Sequence, residues 1–269
     1  MTFSLIWMGQ ALLDAKLKVA FVDDWETRGT RGTDDIGTVR GVICHHTAGP
    51  RQGNMPSLKT LINGRPDLPG PLAQLGLGRD GTYYVIAAGR ANHAGAGSWL
   101  GIESGNRSFI GIEAENTGVS NDQPWPEVQM DAYRRGVAAL LTHQGLPAGA
   151  CAGHKEYALP RGRKVDPSFD MNAFRAGVAA IMAGQAPAPT LIPAIEPTPA
   201  PGKPPRSTLR RGASGELVSA LQRLIGAKVD GQFGAGTEAL VRASQLKLGL
   251  VPDGIVGPRT WVALDQLKL

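Results

Sequence analysis

Long apolar runs are missing from this sequence. No stretch reaches the ~18 apolar residues that a membrane span needs, so insertion into a bilayer is not expected. The start, MTFSLIWMGQALLDAK, is apolar but has no basic n-region, and Gln10 and Asp14 interrupt it; it reads poorly as a secretory signal. A protein of this kind acting outside the cell would leave by another route. Net charge is missing from most of the chain. Residues 1–200 carry 18 Lys/Arg and 18 Asp/Glu, while residues 201–269 carry 10 and 5, so the whole +5 lies in the tail. That suggests affinity for an acidic surface. No aromatic residues interleave the tail's basic ones as a stacking platform requires, which argues against nucleic acid. The HExxH pattern is absent, and no CxxC pair marks a structural zinc site. Cysteine is scarce. Cys44 precedes His45 directly and Cys151 precedes His154 by three residues, so the two thiols either bridge where those histidines converge or stay buried and free.

The segment 38–46 reads as a buried strand leading into His45 and His46, closed by Thr47-Ala48-Gly49-Pro50. A short helix is predicted over 56–63. Strands over 72–78 and 82–88 are joined by Arg79-Asp80-Gly81, a strong hairpin signal. A glycine-rich loop follows over 89–105, then a strand over 108–115. Met130, Tyr133, Val137, Leu140 and Leu141 form one apolar helical stripe. Met171, Phe174, Val178, Ile181 and Met182 repeat that spacing, with Asp170 as N-cap. This predicts an α/β domain, a mixed β-sheet flanked by helices, over 38–183. Residues 1–37 read as an N-terminal extension, with a short helix over 11–18 and loop over 26–37. Residues 184–206 are a Pro/Ala-rich linker, extended and semi-rigid. In 207–269 the pattern DGxxGxxT occurs at Asp230 and again at Asp253, each copy before a helical stretch. Leu217, Leu221, Leu224 and Ile225 make a further stripe, giving a small three-helix domain. It has no His and no Cys, so nothing in it looks catalytic.

The chemistry concentrates at 151–170, where His154 is followed by a Pro/Gly-punctuated loop and then by Lys164 and Asp166. Two histidines and a carboxylate around zinc leave a fourth position open, the arrangement of a catalytic rather than a structural site. Such a site still needs a proton acceptor and a charge facing the developing oxyanion. Glu113 and Glu115 lie on one face of a strand, and either could be the base. Lys164 supplies the cation. His93 could line a cleft. His143, late in a helix, reads as a helix-end contact without a function.

Five ordered motifs resemble a known family. They are Val42-Ile43-Cys44-His45-His46-Thr47-Ala48-Gly49, Arg79-Asp80-Gly81, Asn92-His93-Ala94-Gly95, Gly111-Ile112-Glu113 and Gly153-His154 with Arg163-Lys164-Val165-Asp166-Pro167. Over 38–182 they resemble the zinc N-acetylmuramoyl-L-alanine amidases, which share a fold with peptidoglycan recognition proteins. The resemblance implies zinc held by His45, His154 and Asp166, with Glu113 rather than Glu115 as general base and Lys164 facing the oxyanion. It implies His93 as a substrate contact and His46 as support beside the ligand. The tail resembles a peptidoglycan-binding domain through Leu221-Gln222, both glycine repeats, Ser244-Gln245 and Thr260-Trp261, with Ser244 standing where that family has Phe. The implied partner is peptidoglycan, the implied oligomeric state a monomer. The combination resembles a phage endolysin, made in the host cytoplasm and released to the wall, or else an exported autolysin. The rivals are a recognition protein that binds without cutting and a zinc peptidase acting within the stem peptide.

Overall fold

The computed structural model describes residues 3–30, 34–119, 125–185, 206–248, 250 and 254–266. The chain divides into two compact units, Met1–Thr190 and Leu191–Leu269. The expected linker lies almost wholly outside the described residues, as does Asp253 of the second glycine repeat.

The first unit runs α1 (Met8–Asp14), β1 (Lys18–Phe21), β2 (Gly41–His46), α2 (Leu58–Asn63), β3 (Gly64–Arg65), β4 (Leu68–Pro69), β5 (Leu75–Leu77) and β6 (Thr82–Val85). It continues with α3 (Gly105–Ser108), β7 (Phe109–Ala114), α4 (Glu127–His143), β8 (Cys151–Gly153), α5 (His154–Tyr157) and α6 (Met171–Met182). Six strands form a mixed sheet in the order β1-β6-β5-β7-β2-β8, and β3 and β4 make a separate two-stranded ribbon. The hairpin predicted at Asp80-Gly81 is the antiparallel β5–β6 pair. Asp80 Oδ1 accepts from the Thr82 N–H at 2.9 Å, and Gly81 takes the positive φ of +80° that the turn requires.

Every residue of β2 is buried, as expected for a central strand covered on both faces. Alternation along it builds two environments. Val42 and Cys44 join Ile110, Ile112 and Ala114 of β7 in the main core, which α1, α4 and α6 cover. Ile43 joins Phe109, Ala152 and Tyr157 in a smaller cluster on the other face. Both amphipathic helices form as their stripes predict, and Asp170 Oδ1 caps α6 by accepting from the Ala173 N–H at 2.7 Å.

The described residues before 38 contribute to the core and the sheet. Phe3, Leu5, Met8 and Leu12 are core residues, and β1 pairs in parallel with β6 at the sheet edge. The helix ends at Asp14, not near residue 18. The sequence hides β1 because four residues with a half-exposed pattern carry little periodicity, and their partner is some 60 positions away. His143 stacks on Trp7, with ring centroids 3.9 Å apart, so it pins this segment to α4.

Tyr133 links the helical layer to the sheet. Its fully buried hydroxyl accepts from the His45 N–H at 3.0 Å and lies 3.1 and 3.0 Å from the His45 and Ile112 carbonyls. Tyr133→Phe removes this buried hydroxyl while the strand ladder keeps its own bonds, and thermal or denaturant unfolding should record a loss of about 0.5–1.5 kcal/mol.

The second unit holds α7 (Glu216–Ile225), α8 (Ala235–Lys247) and α9 (Pro258–Gln266) around Leu209, Val218, Leu221, Phe233, Val241, Val256, Trp261 and Leu264. The glycine repeat has a physical cause. Buried Gln222 accepts from the Asp230 and Gly231 N–H groups at 3.0 and 2.9 Å, while its amide donates to the Gln232 carbonyl at 3.0 Å and to Thr237 Oγ1 at 3.1 Å. Gln245 does the same one repeat later, for the Gly254 N–H, the Ile255 carbonyl and Thr260 Oγ1. Gln222→Leu takes the acceptor away from the part-buried donors of its turn. It should lower the melting transition of this unit in the full chain by several degrees, read by calorimetry.

Candidate metal centre

The site lies at the C-terminal end of β2. In parallel register His45 pairs with Glu113 and Ile43 with Gly111, so these four positions share the face opposite the helical core. His154 opens α5 directly after β8, the strand on the other side of β2. The loop after α5 returns Asp166, held by its carbonyl accepting from the Lys155 N–H at 2.6 Å.

Three side-chain atoms converge. His45 Nδ1 lies 2.9 Å from His154 Nδ1 and 3.2 Å from Asp166 Oδ2, and His154 Nδ1 lies 3.1 Å from that oxygen. Among the described residues these three form the group able to hold a metal ion. Their separations approach the ~3.3 Å between two ligands held about 2 Å from a tetrahedral ion. The donor set fits as well. His154 Nε2 is 2.9 Å from the Ala94 carbonyl, which can only accept, so Nε2 carries the hydrogen and the neutral ring turns a bare Nδ1 lone pair inward. Lone pairs facing a carboxylate at this range repel unless a proton or a cation lies among them.

The electrostatics agree. Burial, reinforced by His154, pushes His45 down to about 4, keeping the ring neutral as ligation requires. Glu113 Oε1 stands 3.9 Å from His45 Nδ1. Its Oε2 is buried without a hydrogen-bond partner among the described residues. Burial, and behind it the charge of Asp166, raise Glu113 well above its ordinary range. Such a carboxyl group is suited to exchange a proton near neutral pH.

Glu115, the other sequence candidate, is a clamp. It is fully buried and accepts from Thr47 Oγ1 at 2.8 Å, Ser57 Oγ at 3.0 Å and the Ser57 N–H at 3.0 Å, tying β7 to the segment before α2. Lys164 is exposed on the wall of a cleft of about 300 Å³ that Glu113, His154 and Asp166 also line. Arg65 and Arg163 line it too, which sequence reasoning did not anticipate. Arg163 anchors the loop, donating from Nε to the Leu159 carbonyl at 2.8 Å and from Nη2 to the Ala96 carbonyl.

His93 reaches the cleft wall, but both its ring nitrogens are engaged within the protein, by His45 at 3.0 Å and the Phe109 carbonyl at 3.1 Å. It has no free donor or acceptor for a substrate. His46 makes no hydrogen bond to His45, His154 or Asp166 among the described residues. Consecutive strand residues point to opposite faces, and its ring packs 6.2 Å from Trp125, yet His46 lines the same cleft as Glu113, His154 and Asp166. Cys44 and Cys151 do converge, with sulfurs 3.4 Å apart, as buried free thiols.

Such a cluster, at the end of parallel strands in an α/β sheet, defines a class of proteins in which a candidate metal site lies beside a buried carboxyl group. Residues 35–169, half of the sequence, match the N-acetylmuramoyl-L-alanine amidase family, and the chain belongs to it. Residues 213–264 match a peptidoglycan binding domain. An uncharacterized protein of Kitasatospora aureofaciens is 47% identical over 64 residues, 21% of this chain and 54% of that protein. The zinc D-Ala-D-Ala carboxypeptidase of Streptomyces albus G is 44% identical over 69 residues, 23% of this chain and 27% of that enzyme. The chain thus spans about half and about a quarter of the lengths of these curated relatives. Among solved structures, a selenomethionine derivative of AmpD aligns at 25% identity with a TM-score of 0.46, over 65% of this chain and 98% of AmpD. No helix among the described residues is long and apolar enough to cross a membrane.

Proposed function

We propose that this chain is a zinc-dependent amidase that hydrolyses the bond between N-acetylmuramic acid and L-alanine in peptidoglycan. The observation that carries the reading is the meeting of His45, His154 and Asp166 within 3.2 Å of one another, with the carboxyl group of Glu113 beside them in an open cleft. These three residues would hold the zinc. When bound, the ion supplies Lewis acidity toward a water molecule and the scissile carbonyl. Glu113 takes the proton of the attacking water as the new C–O bond forms. Lys164 sets its positive charge toward the oxyanion of the tetrahedral species. Glu113 then delivers the proton to the alanine nitrogen as the C–N bond breaks. The second unit holds the enzyme on its insoluble substrate and raises the effective concentration of nearby amide bonds. A wall-cutting unit joined to a wall-binding unit supports cell-wall lysis of the phage endolysin kind.

Digestion of purified peptidoglycan, followed by mass spectrometry, tests this. Release of intact stem peptides with free L-alanine amines is expected. The similarity to a zinc carboxypeptidase favours one second reading, in which the cuts fall within the stem peptide. Binding by the zinc-loaded protein without any cut would instead mark a recognition protein.

A further inference from the structure

We infer that His93 is a positioning residue that fixes the tautomer of His45, and that residues 93–94 act as one clamp setting both histidines of the centre. This rests on the metal reading proposed above. His93 Nε2 is 3.1 Å from the Phe109 carbonyl. A carbonyl only accepts, so the hydrogen is on Nε2 and the neutral ring leaves Nδ1 as a lone pair. That lone pair is 3.0 Å from His45 Nε2 and accepts its hydrogen. The remaining nitrogen of His45, Nδ1, is then bare and directed at His154 and Asp166. The ring centroids are 5.1 Å apart, a separation that fits two imidazoles joined nitrogen to nitrogen. The next residue, Ala94, sets the other histidine, because its carbonyl accepts from His154 Nε2.

The fold builds a place for this clamp. Gly111 of β7 has no side chain where the His93 ring lies; a Cβ there would come within 2.5 Å of His93 Cγ. The Asn106 side-chain carbonyl accepts from both the His93 and Ala94 N–H groups, at 3.0 and 2.8 Å. Fully buried Gln74 accepts from the Gly111 N–H at 2.7 Å and so holds the strand beneath the ring. Gly111, Asn106 and Gln74, from three segments, thus converge on two imidazole orientations. Partners behind metal-binding histidines fix ring orientation and basicity, and their loss costs about 10–100-fold in metal affinity.

Two measurements on the full chain test this. The first is zinc affinity, by competition with a fluorescent chelator, for wild type, His93→Phe and His93→Gln. The phenylalanine variant should bind zinc about 10–100-fold more weakly. Glutamine, whose carbonyl can accept from His45 Nε2, should recover most of that loss, whereas a merely structural role would not separate the two variants by acceptor capacity. The second needs no variant. Long-range ¹H–¹⁵N correlation spectra of the zinc-loaded wild type should show His45, His93 and His154 all protonated at Nε2. A His93 protonated at Nδ1, or a phenylalanine variant with wild-type zinc affinity, overturns the clamp while leaving the metal reading intact. A wild type that takes up no zinc overturns both.

Discussion

Replacing Glu113 with glutamine should lower the rate of amide cleavage by about 10²–10⁴-fold, the contribution of a positioned general base. Glutamine keeps the volume and loses the transferable proton, so zinc content and melting temperature should stay near those of the wild type. Glu115→Gln is the control. Glu115 accepts three hydrogen bonds and is not among the residues lining the cleft, so its substitution should lower the unfolding temperature and leave the rate per folded molecule close to normal. The pair is read by release of stem peptides, normalised to the folded fraction. Equal activity losses in both variants, or the larger loss in Glu115→Gln, would remove Glu113 from its assigned role.

Metal removal should have an effect of similar size on activity and a separate one on stability. Chelation should abolish cleavage, and zinc should restore it. Because a ligand that binds only the folded state stabilises it by mass action, zinc at a hundred times its dissociation constant should add about 2.7 kcal/mol. Asp166→Ala removes one of the three converging atoms and leaves the two imidazole lone pairs without their anionic partner. This variant should show neither the zinc-dependent rise in melting temperature nor activity. A zinc-dependent rise of wild-type size in Asp166→Ala would mean that the ion binds elsewhere.

Much of the site is legible in the sequence because its chemistry is local in type. A histidine closing an apolar strand, a second histidine after a short strand, and a Lys-x-Asp loop are readable one by one. The resemblance orders them and separates Glu113 from Glu115. Spacing could not do so, since residues two apart share a strand face; the structure gives the physical reason in the contacts of Glu115 with Thr47 and Ser57. His46 is the reverse case. The alternation rule places it on the opposite face from His45, but only the structure shows that it still lines the same cleft. Tyr133 was legible only as one member of an apolar stripe, because nothing in helical periodicity says that its hydroxyl reaches between two strands.

The sequence by itself determined the two amphipathic helices, the Asp-Gly hairpin, the central strand and the repeated turns of the second unit. Each rests on interactions within a few residues: periodic burial, a cap or a turn that only certain side chains permit. The tertiary structure alone decided that residues 3–21 complete the sheet and core, that three side-chain atoms separated by up to 121 positions meet within 3.2 Å, and that His93 stands behind His45. Those outcomes depend on strand order and register. Chain closure over such distances is set by the packing of the whole sheet, and no local pattern encodes it.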